Sequence, residues 1–315
     1  MKKIILALAA LILSAGLASA QDMASATETY NNGAELLAIS HKVEARAAFQ
    51  EALAMGEACG EEGAELVANC KKVIPGLILS IGKDAYNKKD FDGALAKMDE
   101  AKAAAEKYGD ADIAAEAGEL VPQIMSAKNM AAANAAFGEK NFAAAAESYR
   151  KVLDGDPANG NAALRLVQCL TNTGDLDGAK EALVLAEANG QGDKAKGVLS
   201  KAFLKKAQAK LKEGKNSDAI ALAEESLQYG VSANAYYLAG QAASKINKTS
   251  DAIGYYEKFL ETDPADKRAA AITFTIGALY HQSGNKAKAL EYYKKVTSDE
   301  KYGAEAQKQI AALSK

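Results

Sequence analysis

Tryptophan is absent from this 315-residue chain, proline occurs only four times, cysteine three times and histidine twice. So little proline, with few β-branched runs, leaves long helices as the default reading. His41 and His281 stand far apart, and no H-E-x-x-H, C-x-x-C, phosphate-cradling loop or nucleophile elbow occurs. Neither a metal site nor a cofactor nor an enzymatic activity is expected. A large excess of one charge is also missing: the net charge is −3. That balance offers no electrostatic reason to expect nucleic acid or an anionic membrane surface as partner. With 49% hydrophobic and 25% charged residues, the chain is too apolar for disorder. Much of that apolar content is alanine, which suits close helix packing.

The first twenty residues form a separate object. Lys2 and Lys3 give a basic start, Ile4 to Leu13 is an unbroken apolar run, and Ala18-Ser19-Ala20 is a small-residue cleavage signal. This pattern reads as a secretory signal peptide over 1–20, too short for a membrane span, with the mature chain starting at Gln21. No cysteine lies near the cleavage point, so a lipoprotein anchor is not expected. The product is expected to be exported, soluble and periplasmic. In that compartment Cys59 and Cys70 are the one sequence-local pair, and they either form a disulfide or remain two small apolar thiols. Cys169 falls in a helix pattern and reads as core.

What the chain has in abundance is repetition. Alanine returns in the same setting at Ala45, Ala94, Ala145, Ala179, Ala219, Ala252 and Ala289. Four residues later there is usually a large side chain, as at Phe49, Met98, Tyr149, Leu183, Tyr256 and Tyr293. Steps of four and seven share one helix face, so each unit presents a stripe on which a neighbouring helix can settle closely. Such self-similarity signals stacked hairpins, each burying its apolar face against its neighbours.

In its details the pattern resembles the tetratricopeptide repeat. Residues 270–303 carry Ile276-Gly277, Tyr280, Gly284, Ala289 and Tyr293 in that family's order, and 233–266 carry Tyr236, Gly240, Ala252, Tyr256 and Asp263-Pro264. Units over 126–159 and 160–193 match through Phe142, Ala145, Tyr149 and through Leu166, Leu170, Gly174, Ala179. The unit over 200–232 is weaker, and two looser units precede them. The resemblance implies an all-α, right-handed superhelical solenoid of about seven hairpins over 21–303, closed by a capping helix over 304–315. The steps from Ala45 to Ala94 and on to Ala145 exceed the family's period, so the first two units are expected to have elongated helices. Pro75 and Pro122 lie in the surplus segments and should kink or end them.

The resemblance further implies that the first helix of each unit lines a concave groove. The residue after the family's glycine position faces that groove; here it is Asn134, Gln168, Gln208 and Gln241. A carboxamide offers one acceptor and two donors, so a ladder of them suits the backbone of an extended peptide. Asn161, Thr171, Asn172, Asn234, Tyr237, His281 and Gln282 are further groove candidates by the same mapping. Lys83, Lys201, Lys212 and Lys245 lie near the family's charged-groove places without forming the combination that clamps a terminal carboxylate. The expected function is a non-enzymatic scaffold of the cell envelope that holds a protein or peptide. The alternative is a glycan-binding accessory protein, which the absence of tryptophan disfavours.

Overall fold

A computed structural model describes residues 19–314. Lys2, Lys3, the apolar run and Ala18 of the expected leader lie outside the described residues. The chain is an all-α repeat solenoid, and no strand occurs among the described residues. It divides into two compact units, one through Ala131 and one from Ala132 onward.

The first unit holds α1 (Ser19–Ala38), α2 (Lys42–Ala58), a single 3₁₀ turn (Gly60–Gly63), α3 (Ala64–Asn87), α4 (Phe91–Tyr108) and the larger part of α5 (Ala111–Gly138). The second holds the end of α5, then α6 (Phe142–Gly155), α7 (Gly160–Thr173), α8 (Leu176–Ala188), α9 (Gly192–Lys212), α10 (Asn216–Tyr229), α11 (Ala233–Lys245), α12 (Thr249–Thr262), α13 (Ala269–Gln282), α14 (Lys286–Lys294) and α15 (Gly303–Leu313). These make seven hairpins, α1/α2 to α13/α14, and α15 follows the last of them.

All seven repeating alanines are fully buried, together with Phe49 and Tyr149 four residues after two of them. Opposite most of the large residues the first helix of the hairpin gives way. A Cβ placed on Gly82, Gly240 or Gly277 would lie 2.6, 2.6 or 2.9 Å from Met98, Tyr256 or Tyr293 respectively. Each glycine precedes its partner by sixteen residues. Where the second helix offers only Ala223, the first offers Ala207, and both are buried. Size is therefore matched pair by pair across the hairpin, as dense packing requires.

The turns inside the hairpins are equally regular. Each contains a residue at positive φ: Ser40, Lys89, Lys140, Gly174, Gly214, Asn247 and Gly284. In most of them a backbone N–H reaches five residues back, as from Asn141 to the carbonyl of Ala136 (2.8 Å) and from Asn285 to that of Tyr280 (2.9 Å). That bond closes the first helix with a left-handed cap. Asp90, Asn141, Asp175 and Asn285 then accept a bond from the backbone N–H three residues on and open the second helix.

Two expectations that left alternatives open are narrowed. Pro75 and Pro122 end neither helix: α3 runs for 24 residues and α5 for 28, each with its proline inside. Pro75 is buried beside Ile74, Leu77 and Ile78, so packing holds the helix where propensity alone would break it. The extra length falls on the first helices of the second and third hairpins; α1 and α2 have 20 and 17 residues. Cys59 and Cys70 are free thiols. Cys59 caps the end of α2, whereas Cys70 stands ~9 Å along α3, pointing into the core. Burial pushes the Cys70 thiol up to about 11. Cys169 is buried and likewise raised to about 11 by desolvation.

Candidate peptide-binding face

The groove candidates sit on the first helices of successive hairpins in the second unit: the end of α5, then α7, α9, α11 and α13. Helix α9 packs against both α7 and α11 as well as its own partner α10. Helices α7, α9 and α11 therefore lie side by side, and residues on their outer stripes share one face.

Most of the carboxamides on that face already hold a neighbour. Asn134 is exposed, and its Oδ1 accepts a bond from the hydroxyl of buried Tyr149 at 2.7 Å. Gln168 accepts from Arg165 Nη1 at 3.1 Å, and the Arg165 guanidinium lies 4.5 Å from the centre of the Phe137 ring. Thr171 and Asn172 turn back and donate to the backbone carbonyl of Gln168, at 3.0 and 2.8 Å. Gln241 donates to the hydroxyl of Tyr237 at 2.8 Å. Each of the three amides so engaged keeps its other polar atom for a ligand: Asn134 and Gln168 their NH₂ donors, Gln241 its carbonyl. Gln208 and Asn161 are exposed and, among the described residues, make no such side-chain bond.

A second cluster forms around Arg268, which the sequence reading did not single out. Its guanidinium grips Asp266 through Nε (2.8 Å) and Nη2 (2.6 Å), donates to Asn234 Oδ1 (2.8 Å) and stacks 4.4 Å from the Tyr237 ring centre. The bidentate grip holds the Asp266 carboxyl at about 2, well below its ordinary range. Asn234 and Tyr237 are thus oriented by a residue from the following repeat. The signal was there: Arg268 falls 34 residues after Asn234, one family period. His281 and Gln282 belong to a different place. They line an open depression of about 450 Å³ with Phe274, Ala278, Tyr293, Glu305 and Gln309.

The face therefore contains two arginine-organised clusters, Phe137–Arg165–Gln168 and Asn234–Tyr237–Gln241–Arg268. Exposed Gln208 stands on α9 between the helices that carry them. Aromatic rings beneath fixed guanidinium planes, with spare amide donors and acceptors, suit a backbone-reading contact more than proton transfer.

Two family models, both described as tetratricopeptide repeat, match this chain: one over residues 136–202, the other over 204–267 and again over 237–303. Together they cover just over half of its length. No curated protein matches it in sequence. Many solved structures resemble it in fold. One is MamA, 23% identical, covering 57% of this chain and 94% of its own with a TM-score of 0.34. Another is PilW, described as a widely conserved type IV pilus biogenesis factor, 16% identical over 75% of this chain and 98% of its own, with a TM-score of 0.32. A third is pilF of Pseudomonas aeruginosa, 15% identical over 76% and 99%, with a TM-score of 0.30. Those scores are too low to carry residue roles or partners across.

Proposed function

Because the chain belongs to the tetratricopeptide-repeat family, whose fold serves as a scaffold for protein interactions, we propose that it is a non-enzymatic, exported scaffold of the cell envelope. It holds a protein or extended peptide against the first-helix face of its second unit. The single observation behind this reading is the row of half-used carboxamides, Asn134, Gln168 and Gln241, each oriented by an aromatic or arginine neighbour and each keeping a free donor or acceptor. Groups fixed in this way lose little side-chain entropy on binding, so the ligand bears most of the ordering cost. Gln208 supplies a fourth amide. The basic, apolar and small-residue pattern over 1–20 supports export. Among the described residues no helix is long and apolar enough to cross a membrane.

The test is capture from envelope extract by the wild-type chain and by a Gln168/Gln208/Gln241→Ala variant, with circular dichroism to verify that the variant is folded. Loss of a captured protein from the variant is the expected result. Equal capture of every protein by both chains would remove the amide row from the account.

A further inference from the structure

Charge in the second unit is sorted by helix layer. Helix α9 carries seven lysines against one carboxylate, Asp193. Its first-layer neighbours α7 and α11 add Arg165 and Lys245 and contain no carboxylate at all. The second helices reverse this: α8, α10 and α12 together carry nine carboxylates against two lysines, Lys180 and Lys258. A net charge of −3 over the whole chain conceals the arrangement, because the two layers nearly cancel.

Within α9 the lysines are not spread evenly. Lys194, Lys201, Lys205 and Lys212 share one exposed stripe with Gln208, at steps of seven, four, three and four along the helix. Of the described carboxylates, none pairs with Lys201, Lys205 or Lys212; the ion pairs of α9 go to Lys196, which meets Glu187, and Lys210, which meets Glu213. Lys201 with Lys205, and Lys206 with Lys210, also stand four residues apart, where like charges repel. Elsewhere in this unit the same spacing pairs opposite charges, Lys151 with Glu147 and Lys295 with Glu291. A helix that accumulates such repulsion on its outer face gains stability from a ligand that neutralises it.

We infer that the stripe Lys194–Lys201–Lys205–Gln208–Lys212 is the docking line for an acidic, extended peptide segment. The inference deepens the scaffold reading and rests on it. From Lys194 to Lys212 the stripe is ~27 Å long, which an extended segment of about eight residues spans. Carboxylates on that segment pair with the lysine ammonium groups, while Gln208, on the same stripe, takes its backbone. The acidic layer formed by α8, α10 and α12 repels the same segment, so the charge pattern also selects the face on which it lands.

The experiment uses the full chain and a fluorescein-labelled Glu-Ser repeat peptide about eight residues long, read by anisotropy at low and moderate salt. Three variants are compared: Lys201/Lys205/Lys212→Gln, a control Lys286/Lys288/Lys294→Gln on α14, and Gln168/Gln208/Gln241→Ala. Saturable binding that weakens about tenfold in the α9 variant, leaves the α14 control unchanged and falls with salt is expected, since each exposed ion pair contributes a few-fold at most. Absence of saturable binding, equal loss in the α14 control, or tighter binding of a single-stranded oligothymidine of equal charge overturns the proposal. If the α9 variant binds the peptide as wild type does while the amide variant still loses its envelope partner, the acidic ligand is wrong and the scaffold reading stands. Lysine-dependent peptide binding that the amide variant retains in full, with equal envelope capture, removes the amide row and leaves the lysine stripe.

Discussion

Gly240 and Gly254 lie in the two helices of one hairpin, and the same change at each should move stability in opposite directions. At Gly240 a new Cβ would lie 2.6 and 2.7 Å from two ring carbons of Tyr256, well inside the 3.5–4.0 Å optimum for carbon contacts. Tyr256 is 4% exposed and has Tyr237 beside it at 6.4 Å between ring centres, so the ring has nowhere to retreat. Overpacking of this kind costs roughly 1–3 kcal/mol, and the better helix propensity of alanine returns about 1 kcal/mol. Gly240→Ala should therefore lose about 1 kcal/mol net. At Gly254, in the middle of α12, a Cβ meets nothing within 4 Å. There only the propensity gain remains, so Gly254→Ala should be more stable by about 1 kcal/mol. Urea denaturation followed by helical circular dichroism measures both. Because each repeat leans mainly on its neighbours, amide exchange in α11 and α12 reports the local change separately. Relief of the Gly240→Ala defect by Tyr256→Leu would tie the loss to the ring. A Gly240→Ala chain at least as stable as Gly254→Ala would refute the account of size matching across the hairpin.

Three further outcomes follow from the same physical arguments. Lys140 adopts φ +60 in the α5–α6 turn, a conformation that costs an L-residue roughly 1–2 kcal/mol; Lys140→Gly should raise the unfolding midpoint, and an unchanged midpoint would count against strain there. Cys59 is half-exposed while Cys70 and Cys169 are buried with raised thiol values, so a thiol reagent should modify one cysteine quickly in the native protein and three after denaturation. Fast modification of none would mean that Cys59 is blocked or bridged. The carboxyl of Asp266 falls from 3.8 to about 2 in the folded chain, so its contribution is complete above its ordinary value and fades as pH drops towards 2. The stability difference between wild type and Asp266→Asn should accordingly shrink over that interval, and a difference that stays constant would exclude the Arg268 grip as its source.

The lysine stripe shows why net charge is a poor guide to a layered protein. Summed over the chain, acids and bases nearly balance and give no hint of a cationic face. Summed helix by helix, α9 stands apart from α8 and α10 on either side. The groove amides illustrate a different difficulty. The resemblance to the family put Asn134, Gln168, Gln208 and Gln241 in equivalent positions, yet Tyr149, Arg165 and Tyr237 engage three of them, while no such bond to Gln208 occurs among the described residues. Two of those partners stand three or four residues earlier on the same helix and the third lies fifteen residues on in the same hairpin, at positions the repeat pattern does not fix. Pro75 and Pro122 were legible as helix breakers by local chemistry; buried neighbours such as Ile74 and Ile124 outweigh that chemistry in α3 and α5.

Read without coordinates, the chain already contains its helices, its turns and its sevenfold repetition. Each of those depends on residues within one hairpin: the alanine of the stripe, the large residue four places on, the left-handed turn and the capping Asp or Asn. How Arg268 reaches back to Asn234, and how α9 comes to lie between α7 and α11, depend on hairpins being stacked. Stacking brings together side chains some thirty residues apart, and their contacts rest on sizes and charges matched between repeats.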